Sequence, residues 1–382
     1  MFLDNAIGDD RPLSWAVRFW PVLVCALVAG LAATWLCKKV AIRFNIVDRP
    51  DETVKTHKEP VAYLGGIGMM VGFVVGVIGG IWLIQGEECF RTCLRWLLGV
   101  LAGGAIACFT GVVDDLFDIT PKKKLFGQLI ASLGLVAAGI LPAWESLVSP
   151  LGLDFPHWFE VAVAVPIVIV FVLGATNSLN LLDGLDGLCA GVTAIIALAM
   201  LLLAVHLGTW EFSETGDPVR MIVCLAILGG ILGFLPFNRH PAKIFMGDAG
   251  SMLLGFVVAA LMIMFAESTA RWWLASIVVF GLPILDTATA LVRRYLNDRP
   301  LMVSDRGHLY DQLMDRGLGL QKTVTLSYVL AAVYAVIGLI MSQIRTRYAL
   351  AVYVLVFAVS GYVVWKKGFL KMEGLRGAVR KE

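Results

Sequence analysis

Three aspartates stand within five residues in the run Gly111-Val-Val-Asp114-Asp115-Leu-Phe-Asp118-Ile-Thr-Pro121, and Lys122, Lys123 and Lys124 follow at once. On a helix, Asp118 falls one turn beyond both Asp114 and Asp115. Carboxylates gathered at the end of an apolar helix repel one another and oppose the helix dipole, so a cation is expected among them. Mg2+ suits such a cluster, because it takes one or two carboxylates and leaves its other positions to water and phosphate oxygens. A solvated helix end balanced by the lysines is the plainer alternative.

Two further segments carry the same chemistry. Asn177-Ser-Leu-Asn180-Leu-Leu-Asp183-Gly184-Leu-Asp186-Gly187-Leu-Cys-Ala-Gly191 holds two amides, two acids and three glycines. Three-residue spacing drifts around a helix, so a partly unwound stretch is expected, with Asp183 or Asp186 near the N-cap of the next helix. In Asn238-Arg-His-Pro-Ala-Lys243-Ile-Phe245-Met-Gly247-Asp248-Ala-Gly250-Ser251, Asp248 stands where the next helix begins. A carboxylate there can hold a metal while the N–H groups of the helix start draw phosphate. A fourth segment, Asp305-Arg306-Gly307-His308-Leu309-Tyr310-Asp311-Gln312, lies in the longest inside loop, Arg293 to Lys322, whose arginines and histidine can bind phosphate by charge-assisted hydrogen bonds. Asp286, inside an apolar run, is a costly intramembrane acid and ranks below these loops.

The elements that must position these residues are membrane helices. Of 382 residues, 59% are hydrophobic and 16% charged, against about 25% charged in soluble domains. Apolar runs of spanning length lie near 16–36, 63–84, 96–113, 126–142, 158–176, 188–207, 220–236, 251–267, 272–292, 324–343 and 348–365, so an all-α chain of about eleven transmembrane helices is expected. Alternate loops hold 23 of the 31 lysines and arginines. The positive-inside rule then puts those loops and the basic tail 366–382 in the cytoplasm, with the N-terminus outside. All the acidic motifs fall on that inner face. A transporter would instead place its polar groups mid-membrane in broken helices. Residues 1–382 read as one integral membrane domain. A net charge of +2 gives no reason to expect nucleic acid, and the seven cysteines mostly sit in apolar runs as small hydrophobes.

With these motifs assembled, the chain resembles the polyprenyl-phosphate N-acetylhexosamine-1-phosphate transferase family over nearly its whole length. The matching stretches are His57-Lys58-Glu-Pro-Val-Ala-Tyr-Leu-Gly-Gly66, Asp114-Asp115-x-x-Asp118, Asn177-x-x-Asn180-x-x-Asp183-Gly-Leu-Asp186-Gly-Leu, and Phe245-Met-Gly-Asp248-x-Gly-Ser251. The resemblance implies transfer of a sugar 1-phosphate, most simply N-acetylglucosamine 1-phosphate, from a UDP-sugar to undecaprenyl phosphate in a bacterial inner membrane. Mg2+ is the implied cofactor, with Mn2+ as a substitute, and membrane lipids surround the enzyme. A homodimer is left open.

By the same resemblance Asp248 and Asn180 hold the metal, and Asp114, Asp115, Asp118 and His308 are catalytic candidates. Asp114 and Asp115 would serve the lipid phosphate. Lys58, Asn177, Asn180, Asp183, Asp186, Asn238, Phe245 and Arg306 would contact substrate, with Asp186, Asn238 and Phe245 in the uridine pocket. One departure stands out. Family members acting on simple UDP-N-acetylhexosamines carry His-Ile-His-His where this chain has His308-Leu309-Tyr310-Asp311, so the sugar is open. A phospho-N-acetylmuramoyl-pentapeptide transferase is the near alternative, disfavoured because that group carries three histidines. A transporter and a catalytically lapsed scaffold are the remote ones.

Overall fold

The computed structural model describes residues 11–48, 60–143, 156–210, 213–300 and 307–371. Uninterrupted apolar sequence leaves helix as the way to satisfy backbone groups in hydrocarbon, and helix dominates. The helices are α1 (Arg11–Arg18), α2 (Trp20–Arg43), α3 (Gly65–Leu83), α4 (Phe90–Phe117), α5 (Pro121–Ala138), α6 (His157–Leu182), α7 (Leu188–Trp210) and α8 (Gly216–Asn238). They continue with α9 (Gly247–Ala266), α10 (Ala270–Val279), α11 (Gly281–Leu296), α12 (Leu309–Asp315), α13 (Leu320–Met341) and α14 (Thr346–Lys366). Among the described residues nine helices are long and apolar enough to cross a membrane, and α10 with α11 forms one further, bent candidate. The protein is a polytopic membrane protein.

Two of the eleven expected runs differ. The run near 126–142 becomes α5, 18 residues long with three lysines in its first turn; that is short of the roughly 20 apolar residues a span needs. The run near 272–292 is not continuous: α10 and α11 meet at 68°. Pro283 lies in the first turn of α11 and has no N–H to carry the hydrogen-bond ladder across the join.

At the centre stands α9, wholly buried, with α8 almost as enclosed. Helices apolar on every side belong in a bundle core. Packing of α2, α3 and α8 relies on small residues that let backbones touch: a Cβ on Gly72 would lie 2.7 Å from the Ala26 carbonyl oxygen and 3.0 Å from the Gly230 Cα. Outward-facing Trp82, Phe109 and Leu355 are exposed, as lipid-facing side chains are. Far from the acidic motifs, Arg220 joins the start of α8 to the end of α9. It bonds Asp217 at 2.6 Å, the Met264 carbonyl at 2.6 Å and Glu267 at 3.2 Å.

A two-stranded antiparallel ribbon departs from the all-helical expectation. Strand β1 (Val47–Asp48) pairs with β2 (Val61–Ala62), in register Val47 to Ala62. Beyond it the Phe245 N–H donates to the Ala62 carbonyl, and the Gly65 and Gly66 N–H groups donate to the carbonyls of Phe245 and Met246. Two-residue strands have no periodicity to announce them. They form because loop backbone groups must find partners, and they fasten the start of α3 to the segment leading into α9.

Candidate active site

The acidic motifs converge where α4 and α6 end and α9 begins. Asp248, in the first turn of α9, accepts from Asn180 Nδ2 at 2.7 Å through Oδ1 and from Lys124 Nζ at 2.6 Å through Oδ2. The same ammonium lies 2.5 Å from Asp114 Oδ2. Asn180 also donates to Ser251 Oγ at 3.0 Å. A lysine thus bridges two carboxylates whose residues are 134 positions apart in the chain. Burial works to lower the Lys124 pKa, but Asp248 and Asp114 outweigh it and hold the ammonium above the ordinary lysine value. Two unit charges 4 Å apart interact by about 4 kcal/mol at the effective dielectric of a protein surface, so the lysine decides whether these acids stay together.

Asp115 has a different task. Its Oδ1 accepts the Asp248 N–H at 2.8 Å and its Oδ2 the Ala249 N–H at 3.1 Å. One carboxylate therefore caps the first turn of the most buried helix. Close approach is built in: Gly247 has φ +66°, and a Cβ there would be 2.4 Å from Asp115 Oδ2. Gly111 does the same from α4, where a Cβ would be 2.3 Å from the Ala249 nitrogen. The expectation that this helix start offers free N–H groups to phosphate needs correcting. Asp115 takes two of them, and the Gly250 N–H goes to the Met246 carbonyl.

The remaining predicted positions divide. Asp118, exposed and left-handed at φ +47°, terminates α4. Asn177 sits a turn back on α6, donating to Gln128 at 3.0 Å and to the Leu173 carbonyl. Neither acid of the second motif caps the next helix: Asp183 terminates α6, and Asp186 reaches across to His240 Nδ1 at 2.7 Å and the Ala242 N–H at 3.0 Å. Burial, and after it the charges of Asp248, Asp115 and Asp186, hold the Asp183 carboxyl well above the ordinary range. Asn238 is buried with both ends of its amide engaged, accepting from the Gly187 N–H and donating to the Ile244 carbonyl, each at 3.0 Å. It holds two loops together. Phe245 is half-buried, its ring edge-on to Tyr63 at 6.1 Å. Lys58 and Arg306 lie outside the described residues.

His308 begins α12, where its imidazole meets an acid that sequence reasoning ranked low. Its Nδ1 is 2.8 Å from Asp286 Oδ2, and Tyr310 donates its hydroxyl to the Leu181 carbonyl at 3.1 Å. The last loop thus docks on the turn carrying Asp183 and Asp186. Sequence reasoning also passed over Lys124 as a single member of a lysine triplet. Pro121 marks where α5 starts, but only the packing of α5 against α4 shows that Lys124 is the lysine that reaches Asp114.

Among the described residues no three acid, imidazole or thiol ligands converge on one point. The donor set instead offers two hard carboxylate oxygens, from Asp114 and Asp248, already sharing a cation in Lys124. That fits a Mg2+-type ion completing its shell with phosphate oxygens.

Against known sequences, the model of Glycosyl transferase family 4 matches residues 97–266, the window holding both acid pairs and Asp248. A decaprenyl-phosphate N-acetylglucosaminephosphotransferase of Mycolicibacterium smegmatis is 30% identical over 331 residues, covering 82% of this chain and 79% of the relative. The chain belongs to glycosyl transferase family 4. It is an enzyme, a sugar-phosphate transferase. A Bacillus subtilis protein named as a probable undecaprenyl-phosphate N-acetylglucosaminyl 1-phosphate transferase is 29% identical, covering 88% of this chain and 87% of its own length. A phospho-N-acetylmuramoyl-pentapeptide-transferase of Halalkalibacterium halodurans is 36% identical over 257 residues, covering 64% of this chain and 72% of the relative. His308 and Asp286 lie beyond the matched family window.

Proposed function

We propose that this enzyme transfers N-acetylglucosamine 1-phosphate from its UDP derivative to undecaprenyl phosphate, releasing UMP and starting a lipid-linked cell-envelope glycan. The observation that carries the reading is the Asp114–Lys124–Asp248 bridge beside Asn180, with Asp115 capping the same helix. Relatives named for polyprenyl-phosphate and N-acetylglucosamine chemistry supply the substrates. The loop charge bias supports a site facing the cytoplasm, where both a soluble nucleotide and a lipid headgroup reach it.

A phosphomonoester has its second pKa near 6, so the lipid phosphate is already largely a dianion at neutral pH. Its oxygen attacks the β-phosphorus of the UDP-sugar, a P–O bond forms to the lipid phosphate, and the bond to UMP breaks with its electrons staying on UMP. No protein base is needed to make the nucleophile. Positioning and charge neutralisation remain as the protein's task. Lys124 offers an ammonium to incoming phosphate oxygens, and His308 offers its imidazole from the opposing loop. Asp248, Asp114 and Asn180 would hold Mg2+, which would neutralise the diphosphate charge when bound. Asp115 supports direct attack over a covalent aspartyl phosphate, because phosphorylating it would strip the cap from α9.

The pentapeptide transferase remains the second reading, on the strength of its 36% identical relative. The lone His308 argues against it. Purified protein in detergent with undecaprenyl phosphate and Mg2+ is given a panel of UDP-sugars, and UMP release is measured. UDP-N-acetylglucosamine should support release. Turnover with the muramoyl-pentapeptide donor alone would install the second reading, and no release with any donor from folded protein would refute both.

A further inference from the structure

The loop that departs from its family's multi-histidine pattern is held by an unusually complete set of contacts. Asp286 on α11 and His308 are both buried, at 1% and 4% exposure. One carboxylate oxygen faces His308 Nδ1 at 2.8 Å, and the other accepts the Leu309 N–H at 2.6 Å. The His308 N–H is received by Asp311 at 3.3 Å. Tyr310 stacks on the imidazole, centroids 5.7 Å apart and planes within 9°. The two residues standing where relatives carry further histidines therefore secure the one histidine that is left.

His308 also heads a capping box with the Asp311 backbone, and an ionised Asp286 that already accepts the Leu309 N–H places the proton of the shared hydrogen bond on the ring nitrogen facing it. That assigns Nδ1–H to His308 and leaves Nε2 as the one ring nitrogen for a ligand. The bend between α10 and α11 aims Asp286 at this loop, which accounts for an intramembrane acid that no helix packing requires. We infer that Asp286 is a positioning residue of the transfer reaction: it fixes the tautomer and orientation of His308 so that Nε2 meets the donor's phosphate. This rests on the reading of the site as a sugar-phosphate transferase.

The test is a double-mutant cycle on UMP release with Asp286→Asn, His308→Ala and the pair together. Asparagine keeps an oxygen for the Leu309 N–H but turns its amide N–H toward His308, which favours the opposite tautomer with Nδ1 bare. Asp286→Asn should lower kcat about 10- to 100-fold, the usual cost of losing a carboxylate that orients a functional histidine, with KM for the donor nearly unchanged. The double variant should be no slower than His308→Ala, because two residues acting as one unit do not add. Multiplying losses, or wild-type kcat in Asp286→Asn, would overturn the inference. Should Asp286→Asn not fold, 15N NMR of the wild-type histidines decides, with His308 identified by its loss in His308→Gln. A protonated Nδ1 is expected, and a bare Nδ1 overturns the assignment. Wild-type protein that releases no UMP would count against the transferase reading, while the NMR result would still judge the Asp286–His308 pair.

Discussion

Asp115 and Asp248 are adjacent in space and both acidic, yet they are used differently, and single substitutions separate them. Asp115→Asn keeps one acceptor oxygen for two helix N–H groups. It should cost about 1 kcal/mol of stability, as a lost cap does, together with at least about 100-fold in UMP release. Asp248→Asn should lose a comparable factor in rate with little change in thermal unfolding, since Asp114 still pairs with Lys124. Equal melting losses in the two variants would contradict this division. Asp183 gives a pH signature. Its folded pKa is raised, so its contribution to stability is fully present below the ordinary Asp value near 4 and is lost as pH rises through the raised one. In metal-free detergent, Asp183→Asn should therefore flatten the fall in unfolding temperature with rising pH. A variant that melts lower than wild type by the same amount at every pH would contradict it. The acids themselves were legible in the sequence because their crowding has no packing explanation. Their separate tasks were not, because cap and ligand look alike until the neighbouring helix is placed.

Among the elements, the apolar runs foretold most helices because length and hydropathy suffice for a span. They carry no sign of the bend before α11 or of the ribbon at Val61–Ala62, which rest on one proline and two backbone pairings. Asn238 shows the same limit, since a motif amide suggests a ligand contact while its neighbours make it a tie between loops. Asp217, in the first turn of α8, is fully buried against Arg220, a pairing that no motif announced. Asp217→Asn leaves Arg220 its Glu267 partner and the Met264 carbonyl, so the cost should be about 1–3 kcal/mol, below the roughly 3–5 kcal/mol of a fully stranded buried charge. Asp217→Asn should melt lower by that order while its folded fraction releases UMP at the normal rate. Lost turnover at full stability would mean that this end of the bundle takes part in the reaction.

Over the whole molecule, the functional reading requires the acid cluster to face the cytoplasm. Glu214 and Lys122 are exposed at opposite ends of the bundle. In a cysteine-free background, Glu214→Cys should react with a membrane-impermeant maleimide in intact cells. Lys122→Cys should react only after permeabilisation, and the reverse pattern would invert the topology. The charge bias made this legible without coordinates, because it needs only loop composition.

The cap that Asp115 places on α9 also sets a schedule. A nascent chain that has delivered α4 and α5 to the bilayer already has the Asp114–Lys124 pair, but Asp115 has no N–H groups to cap, and Asn180 and Lys124 lack their second carboxylate, until residue 248 is synthesised and α9 is threaded into the centre. A chain that stops short of α9 therefore lacks half of the acid–lysine bridge on which the proposed transfer depends.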